Sequence, residues 1–196
     1  KEELDEIRNE FDDERRTEII SETRELTIED MIVEEDMVVT ISNNGYIKRN
    51  PITLYQSQRR GGKGKTAMGI KEEDFVRLLF VASTHHTFMF FTNQGRVYWL
   101  KVYDIPQAPR ASRGKAIVNL LNFAPDEKLT TVLAVPSFEP GKYVLMATRN
   151  GSIKKTELMA FSRPRAGGII AMGMQDNDEL IAARITDGTW NVFLGS

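Results

Sequence analysis

Three glycine turns punctuate this chain at a nearly constant interval: Asn-Asn-Gly, Asn-Gln-Gly and Arg-Asn-Gly end at Gly45, Gly95 and Gly151, which stand 50 and 56 residues apart. Each turn follows a short run rich in β-branched and aromatic residues, MVVTIS (37–42), TFMFFT (87–92) or YVLMAT (143–148). Each precedes a second run, YIKR, RVYWL or SIKK, so the pattern predicts three β-hairpins. A period of about 50 residues means that a unit buries its faces against neighbouring units, which restricts the fold to repeat architectures.

The rest of the unit repeats too. A basic, glycine-bearing loop follows each hairpin: QRRGGKGK, APRASRGKA and SRPRAGG. Next comes an apolar run, AMGI (67–70), AIVNLL (116–121) or IIAMGM (169–174), then an acidic turn, then a last apolar run, FVRLLFV (75–81), LTTVLAV (129–135) or LIAARI (180–185). Four strands in about 50 residues is the arithmetic of a propeller blade. A fourth unit starts at TDGTWNVFLGS, so the expectation is an all-β chain of about three and a half blades over residues 28–196.

Residues 1–27 read differently. Leu4, Ile7 and Phe11 recur at helical spacing among strong helix formers, which predicts one short α-helix ending near Arg16. Its stripe is narrow, and a helix of this length needs a partner surface. The pattern fits the end of a longer helical arm or a surface helix packed on the domain.

Charge separates along the same line. Residues 1–36 carry 5 Lys and Arg against 16 Asp and Glu, whereas residues 37–196 carry 21 against 12. The cations of the second part recur with the repeat. Lys48, Arg49, Arg96, Lys101, Lys154 and Lys155 lie on the hairpin return strands; Arg59, Arg60, Lys63, Lys65, Arg110, Arg113, Lys115, Arg163 and Arg165 lie in the loops. Repetition predicts that they form one positive stripe along a rim, suited to a bent phosphate backbone, with loop glycines permitting close approach. Gly64-Lys65-Thr66 looks like the end of a phosphate-binding P-loop, but that motif needs a glycine at position 59, where Arg59 stands. Duplex DNA read by backbone and shape is the expected partner. A basic-rimmed protein-interaction propeller and an enzyme acting on a polyanion are the rival readings.

Competing chemistry is sparse. The chain has no Cys and only two His, the adjacent His85 and His86, so no metal site is expected. The acidic pairs Glu72-Glu73 and Asp126-Glu127 read as solvated turn residues. Phe88, Phe90, Phe91, Tyr98 and Trp99 read as blade packing, with Tyr103 open to packing or base stacking. No segment holds the roughly 18–20 apolar residues of a membrane span, and no signal peptide opens the sequence, so a cytoplasmic location is expected.

The run Gln58, Arg59, Arg60, Gly61, Gly62, Lys63, Gly64 resembles an intact form of the seven-residue box of the bacterial DNA gyrase A family, placed in the first blade as in that family. DDERRTEI (12–19) resembles the family's junction between the breakage-reunion domain and the C-terminal domain. The resemblance implies that residues 1–27 end the coiled-coil arm. It further implies that residues 28–196 form part of a β-pinwheel, a propeller variant in which neighbouring blades exchange strands, with six blades usual in the family. It implies non-sequence-specific, chiral wrapping of duplex DNA for negative supercoiling by an A2B2 assembly of two gyrase A and two gyrase B proteins. ATP and Mg2+ would be used by that assembly and not by this chain, and a nucleoid-associated cytoplasmic location follows. The family's strand-cleaving tyrosine belongs to the upstream domain, so no tyrosine here is assigned that role. The corresponding protein of topoisomerase IV is similar, but its box tends to be degenerate.

Overall fold

The computed structural model describes residues 2–11, 27–55 and 74–193. The chain divides into two compact units, residues 1–31 and 32–196. The short 3-10 turn Glu29–Met31 belongs to the first, because Thr27 and Asp30 bond to each other through backbone and side chains. In that unit α1 spans Glu2–Phe11, with Leu4, Ile7 and Phe11 exposed along it. The expected continuation to Arg16 lies outside the described residues.

The second unit is built of short strands: β1 (Asp36–Ser42), β2 (Tyr46–Pro51), β3 (Val76–Ser83), β4 (Thr87–Thr92), β5 (Arg96–Lys101), β6 (Lys115–Ala116), β7 (Leu129–Val135), β8 (Tyr143–Thr148), β9 (Ile153–Glu157), β10 (Ile169–Ile170) and β11 (Leu180–Thr186). They form three sheets of order β3-β1-β2-β6, β10-β5-β4-β7 and β11-β8-β9, antiparallel throughout. The three hairpins fall where the sequence pattern puts them.

The fourth strand of a sheet does not come from its own repeat. β6, from the second repeat, adds to the edge of β2; β10, from the third, adds to the edge of β5. The expected long strands AIVNLL and IIAMGM shrink accordingly to two-residue ladders, Lys115–Ala116 and Ile169–Ile170. After Ala116 the chain turns into the 3-10 segment Ile117–Asn119 and buries Ile117 and Leu121; after Ile170 it buries Ala171 and Met172. Two residues suffice to close an edge, and the apolar residues beyond them gain more by burial between sheets than by extending the ladder. The corresponding run AMGI (67–70) lies outside the described residues.

The sheets pack face to face through alternation along β4. Phe88 and Phe90 face the first sheet, joining Met37, Val39, Ile41 and Tyr98 in one core; Met89 and Phe91 face the third, joining Val97, Trp99, Val144 and Met146 in another. All four β4 side chains are fully buried, each stabilising the fold by about 1.5–3 kcal/mol. A strand buried on both faces is what a middle blade requires.

An acidic residue braces each hairpin turn from the following turn of its own repeat. Asp74 Oδ1 accepts from the amides of Asn44 and Phe75, both at 3.0 Å; Asp178 Oδ1 accepts from Asn150 at 3.0 Å and Glu179 at 2.9 Å. The second repeat departs from the expectation of a solvated pair: Asp126 is exposed, but Glu127 is buried. Its carboxylate accepts from Thr92 Oγ1 (2.9 Å), Tyr98 Oη (2.6 Å) and the Ala124 amide (2.5 Å), with Arg96 Nε 3.6 Å away. A buried carboxylate persists when its lone pairs are met in this way. Glu72-Glu73 lie outside the described residues.

Burial would raise the Asp74 carboxyl, but bonds from Ser42, Asn44 and Phe75 and the charge of Arg113 outweigh it and hold the carboxyl below its ordinary value. Asp178 is held low chiefly by Thr148, then by the Asn150 and Glu179 amides and Arg149. A depressed carboxylate contributes stability that is full above the unfolded-state value of 3.8 and is lost as pH falls through the lower folded value. Asp74→Asn should therefore flatten the acid limb of the stability–pH curve below about pH 4 while changing its slope near neutrality little, as measured by urea denaturation across pH.

Gly45 and Gly95 occupy the same turn position with φ of +78° and +72°, yet their surroundings differ: a Cβ on Gly45 meets nothing within 4 Å, whereas one on Gly95 would run into the Met172 carbonyl. Gly45→Ala should cost about 1–2 kcal/mol, the left-handed backbone term alone. Gly95→Ala should cost more, about 3–5 kcal/mol, because the third repeat must also move off the turn. Paired denaturation curves check the difference.

Candidate nucleic-acid interface

Strand exchange determines where the basic loops lie. The second-repeat loop leaves the short turn Val102–Asp104, runs beside β2 and returns as β6, and Arg49 and Gln107 form a parallel bridge on the way. The Arg49 amide donates to Pro106 O at 3.1 Å, and its Nε to Ile105 O at 2.6 Å. Asn50 Nδ2 donates to Ala108 O. Lys48 Nζ donates to Pro109 O at 2.9 Å and also to Arg110 O. Gly114 then passes so close to β2, at φ +84°, that a Cβ there would collide with the Ile47 carbonyl and the Lys48 side chain. Gly168 repeats this in the third-repeat loop: a Cβ would sit 2.7 Å from the Tyr98 ring.

The cations therefore divide into two sets and not one stripe. Lys48, expected on the rim, is fully buried, its ammonium donors taken by the Pro109 and Arg110 carbonyls of the loop. That burial, and then the nearby Arg110 charge, push its pKa below the ordinary 10.5. Arg49 is half-buried against Ile105. Arg96 donates to Gly167 O at 2.6 Å and Tyr98 Oη at 3.1 Å, beside Glu127. Lys101 donates to His85 O at 3.0 Å. Lys154 is exposed and donates to Ala171 O at 2.8 Å, and Lys155 lies 4.6 Å from the centre of the Tyr143 ring.

The loop cations point outward. Lys115, Arg163 and Arg165 are exposed. Arg110 and Arg113 are half-buried, with their guanidinium groups over the rings of Tyr55 (5.3 Å) and Tyr46 (4.9 Å). Arg110 Nη1 also donates to Leu54 O at 3.4 Å, and a guanidinium resting on an aromatic face loses rotamer freedom in advance. Sequence reasoning alone misses the aromatic partners Tyr46 and Tyr55; their signal is a tyrosine just after the turn and another at the end of the hairpin. Gln58, Arg59, Arg60, Gly61, Gly62, Lys63, Gly64 and Lys65 lie outside the described residues. In sequence Gly64 follows Gly45 by 19 residues, as Gly114 follows Gly95.

Other expected assignments resolve simply. His85 Nε2 meets Ile32 O at 2.9 Å, which spends the ring on tying the chain's entry to the sheet. Phe88, Phe90, Phe91, Tyr98 and Trp99 are core residues. Tyr103 is half-buried, its amide bonded to Thr84 O at 3.0 Å. Among the described residues no helix is long and apolar enough to cross a membrane.

The family model described as DNA gyrase C-terminal domain, beta-propeller, matches residues 36–83, 86–136 and 142–187. Each matched segment begins at or just before the first strand of a hairpin and contains β1 to β3, β4 to β7 or β8 to β11. The chain is 52% identical over its full length to the DNA gyrase A protein of Salmonella typhimurium, of which it spans 22%. Among solved structures it resembles the C-terminal domain of DNA topoisomerase IV, with TM-score 0.69 and 27% identity over 81% of this chain and 48% of that one. It also resembles the DNA gyrase A C-terminal domain, with TM-score 0.61 and 25% identity over 78% of this chain and 48% of that one. Strand-exchanged blades, the segment-by-segment match and the whole-length identity agree, and the chain belongs to the family of DNA gyrase C-terminal β-propeller domains.

Proposed function

We propose that this chain binds, bends and wraps duplex DNA without sequence preference, as the wrapping part of a gyrase A protein. The observation that carries the reading is the second set of cations: Arg110 and Arg113, half-buried over tyrosine rings, and the exposed Lys115 in one exchanged loop, with the exposed Arg163 and Arg165 in the next. Lys48 is left out of the contact set because it is buried. Arg49, Arg96 and Lys101 donate to carbonyl oxygens of the protein, and their part is structural first. The seven-residue box from Gln58 to Gly64 and the neighbouring Lys65 extend the same series to the first repeat.

In this reading the wrapped segment is handed to the cleavage gates of an A2B2 assembly with gyrase B, in the cytoplasm at the nucleoid. That assembly uses ATP and Mg2+, and no step of that chemistry falls to this chain. If about six phosphates are neutralised, the log–log salt slope is near −5, roughly three decades of affinity between 50 and 200 mM salt. Bending 20–30 base pairs by 40–90° costs on the order of 1–6 kcal/mol, which contacts of that number offset. A topoisomerase IV wrapping domain is the neighbouring reading, favoured by the higher TM-score and opposed by the intact box.

The test is topological. Plasmid relaxed in the presence of the chain should show a linking-number shift of fixed sign, and affinity should fall steeply with salt. Salt-independent binding to duplex would sink the proposal. Neutralising Arg110 and Arg113 together should shorten the salt slope by about two units, since each phosphate contact contributes about 0.9.

A further inference from the structure

The buried Lys48, with Asn50 and Arg49 beside it, raises a question that DNA contact does not answer: why a strand interior carries three polar residues in succession. Their partners are consecutive parts of one loop. Ile105 O, Ala108 O, Pro109 O and Arg110 O all accept from these side chains, and every donor lies on the preceding repeat. Within the loop, Pro109 O also accepts from Ser112 through its amide (3.0 Å) and hydroxyl (2.9 Å). With its carbonyls turned inward to β2, the loop presents the Arg110 and Arg113 side chains outward, over Tyr55 and Tyr46, which also belong to the preceding repeat.

We infer that Lys48 and Asn50 are positioning residues, which hold the second-repeat loop in register so that Arg110 and Arg113 stand at a fixed spacing and bearing from the first blade. The inference rests on the wrapping function proposed above and adds how its curvature is set. A loop free to shift would still attract DNA, because Coulomb attraction to a polyanion tolerates displacement over several ångströms within a Debye length. It would not impose a defined path, because bending requires contacts fixed on both sides of the bend. The clasp therefore acts on wrap geometry more than on affinity. The second seam uses other chemistry for the same end: Arg96 donates to Gly167 O and Gly168 presses on Tyr98. On β9, Lys154, Lys155 and Thr156 stand at the same distances after the turn glycine as Lys48, Arg49 and Asn50, and Thr156 Oγ1 is buried with no hydrogen-bond partner.

The experiment compares Lys48→Met, Asn50→Ala and the unaltered protein, as the complete gyrase A protein with its partners, by two readouts. One is the salt dependence of duplex affinity; the other is the linking-number shift at saturating protein. Asn50 carries no charge, so its removal cannot shorten the slope by losing a cation. Both variants should keep the salt slope and lose about twofold or more of the linking-number shift, since what they remove is preorganisation. Simple loss of folded protein would lower affinity and leave the saturated shift intact, which separates a positioning role from a merely structural one and would overturn the inference. A slope shortened by about 0.9 in Lys48→Met would make Lys48 a phosphate contact and overturn it as well. If Lys48→Met does not fold, Asn50→Ala alone decides, by the same split. Absence of any shift with the unaltered protein would instead refute the wrapping function itself.

Discussion

The rest of the domain depends on a two-residue ladder. β6 on β2 and β10 on β5 are each only two residues long, yet each is the place where one repeat enters the sheet of the one before it. An edge strand exposes a row of unpaired backbone groups, which is costly when buried and invites aggregation when exposed. Exchange satisfies the edge from the next repeat, so no blade is complete alone. Cooperativity between repeats then follows from covalent continuity across the seam, in addition to the apolar contacts on either face of β4.

The same exchange converts polar strand residues into connectors. Lysine belongs normally on the surface, and burying its ammonium is costly unless its donors are taken. In the first seam the cost is met by loop carbonyls, which have no ladder partner because the loop is not a strand. In the second seam Tyr98 replaces Lys48 at the equivalent position, and its hydroxyl turns to Glu127 at 2.6 Å. Burial first, and then that bond, raise the pKa of the Tyr98 hydroxyl. The neutral pair of seam residues packs on opposite faces, Tyr98 into the core shared with the first sheet and Trp99 into the core shared with the third, so the two seams reach stability by different routes with the same backbone topology.

Local signals explain why the hairpins were legible. A short β-branched and aromatic run such as TFMFFT, a turn glycine with positive φ and a basic loop after each hairpin are all local signals, and the three sheets fall on them. The exchanged strands were legible only through family resemblance, because pairing of Lys115 with Ile47 is a contact 68 residues apart, and no local pattern encodes it. Burial of Lys48 and Glu127 was not legible for a related reason. Charge in a sequence reads as exposure, and what reverses it here is a set of donors and acceptors arriving from another repeat or another turn. The cations are legible in the sequence as a set, while their division into inward and outward groups is a property of the fold.

That division bears on how such a surface evolves its grip without losing its shape. The exposed Lys115, Arg163 and Arg165 alter charge with little consequence for the seam when exchanged, whereas Arg110 and Arg113 also contact the preceding blade through Leu54, Tyr55 and Tyr46. An inward residue such as Lys48 has the reverse property: removing it takes a donor from the Arg110 carbonyl and one of three from the Pro109 carbonyl, at about 0.5–1.5 kcal/mol per bond. In the wrapping function proposed above, affinity is adjustable one charge at a time, in steps that scale with the number of phosphates met. Curvature is a property of the seams. It is set jointly by the clasp, the close-packed glycine and the two-residue ladder, since Gly114, Lys48 and β6 occupy one contiguous contact.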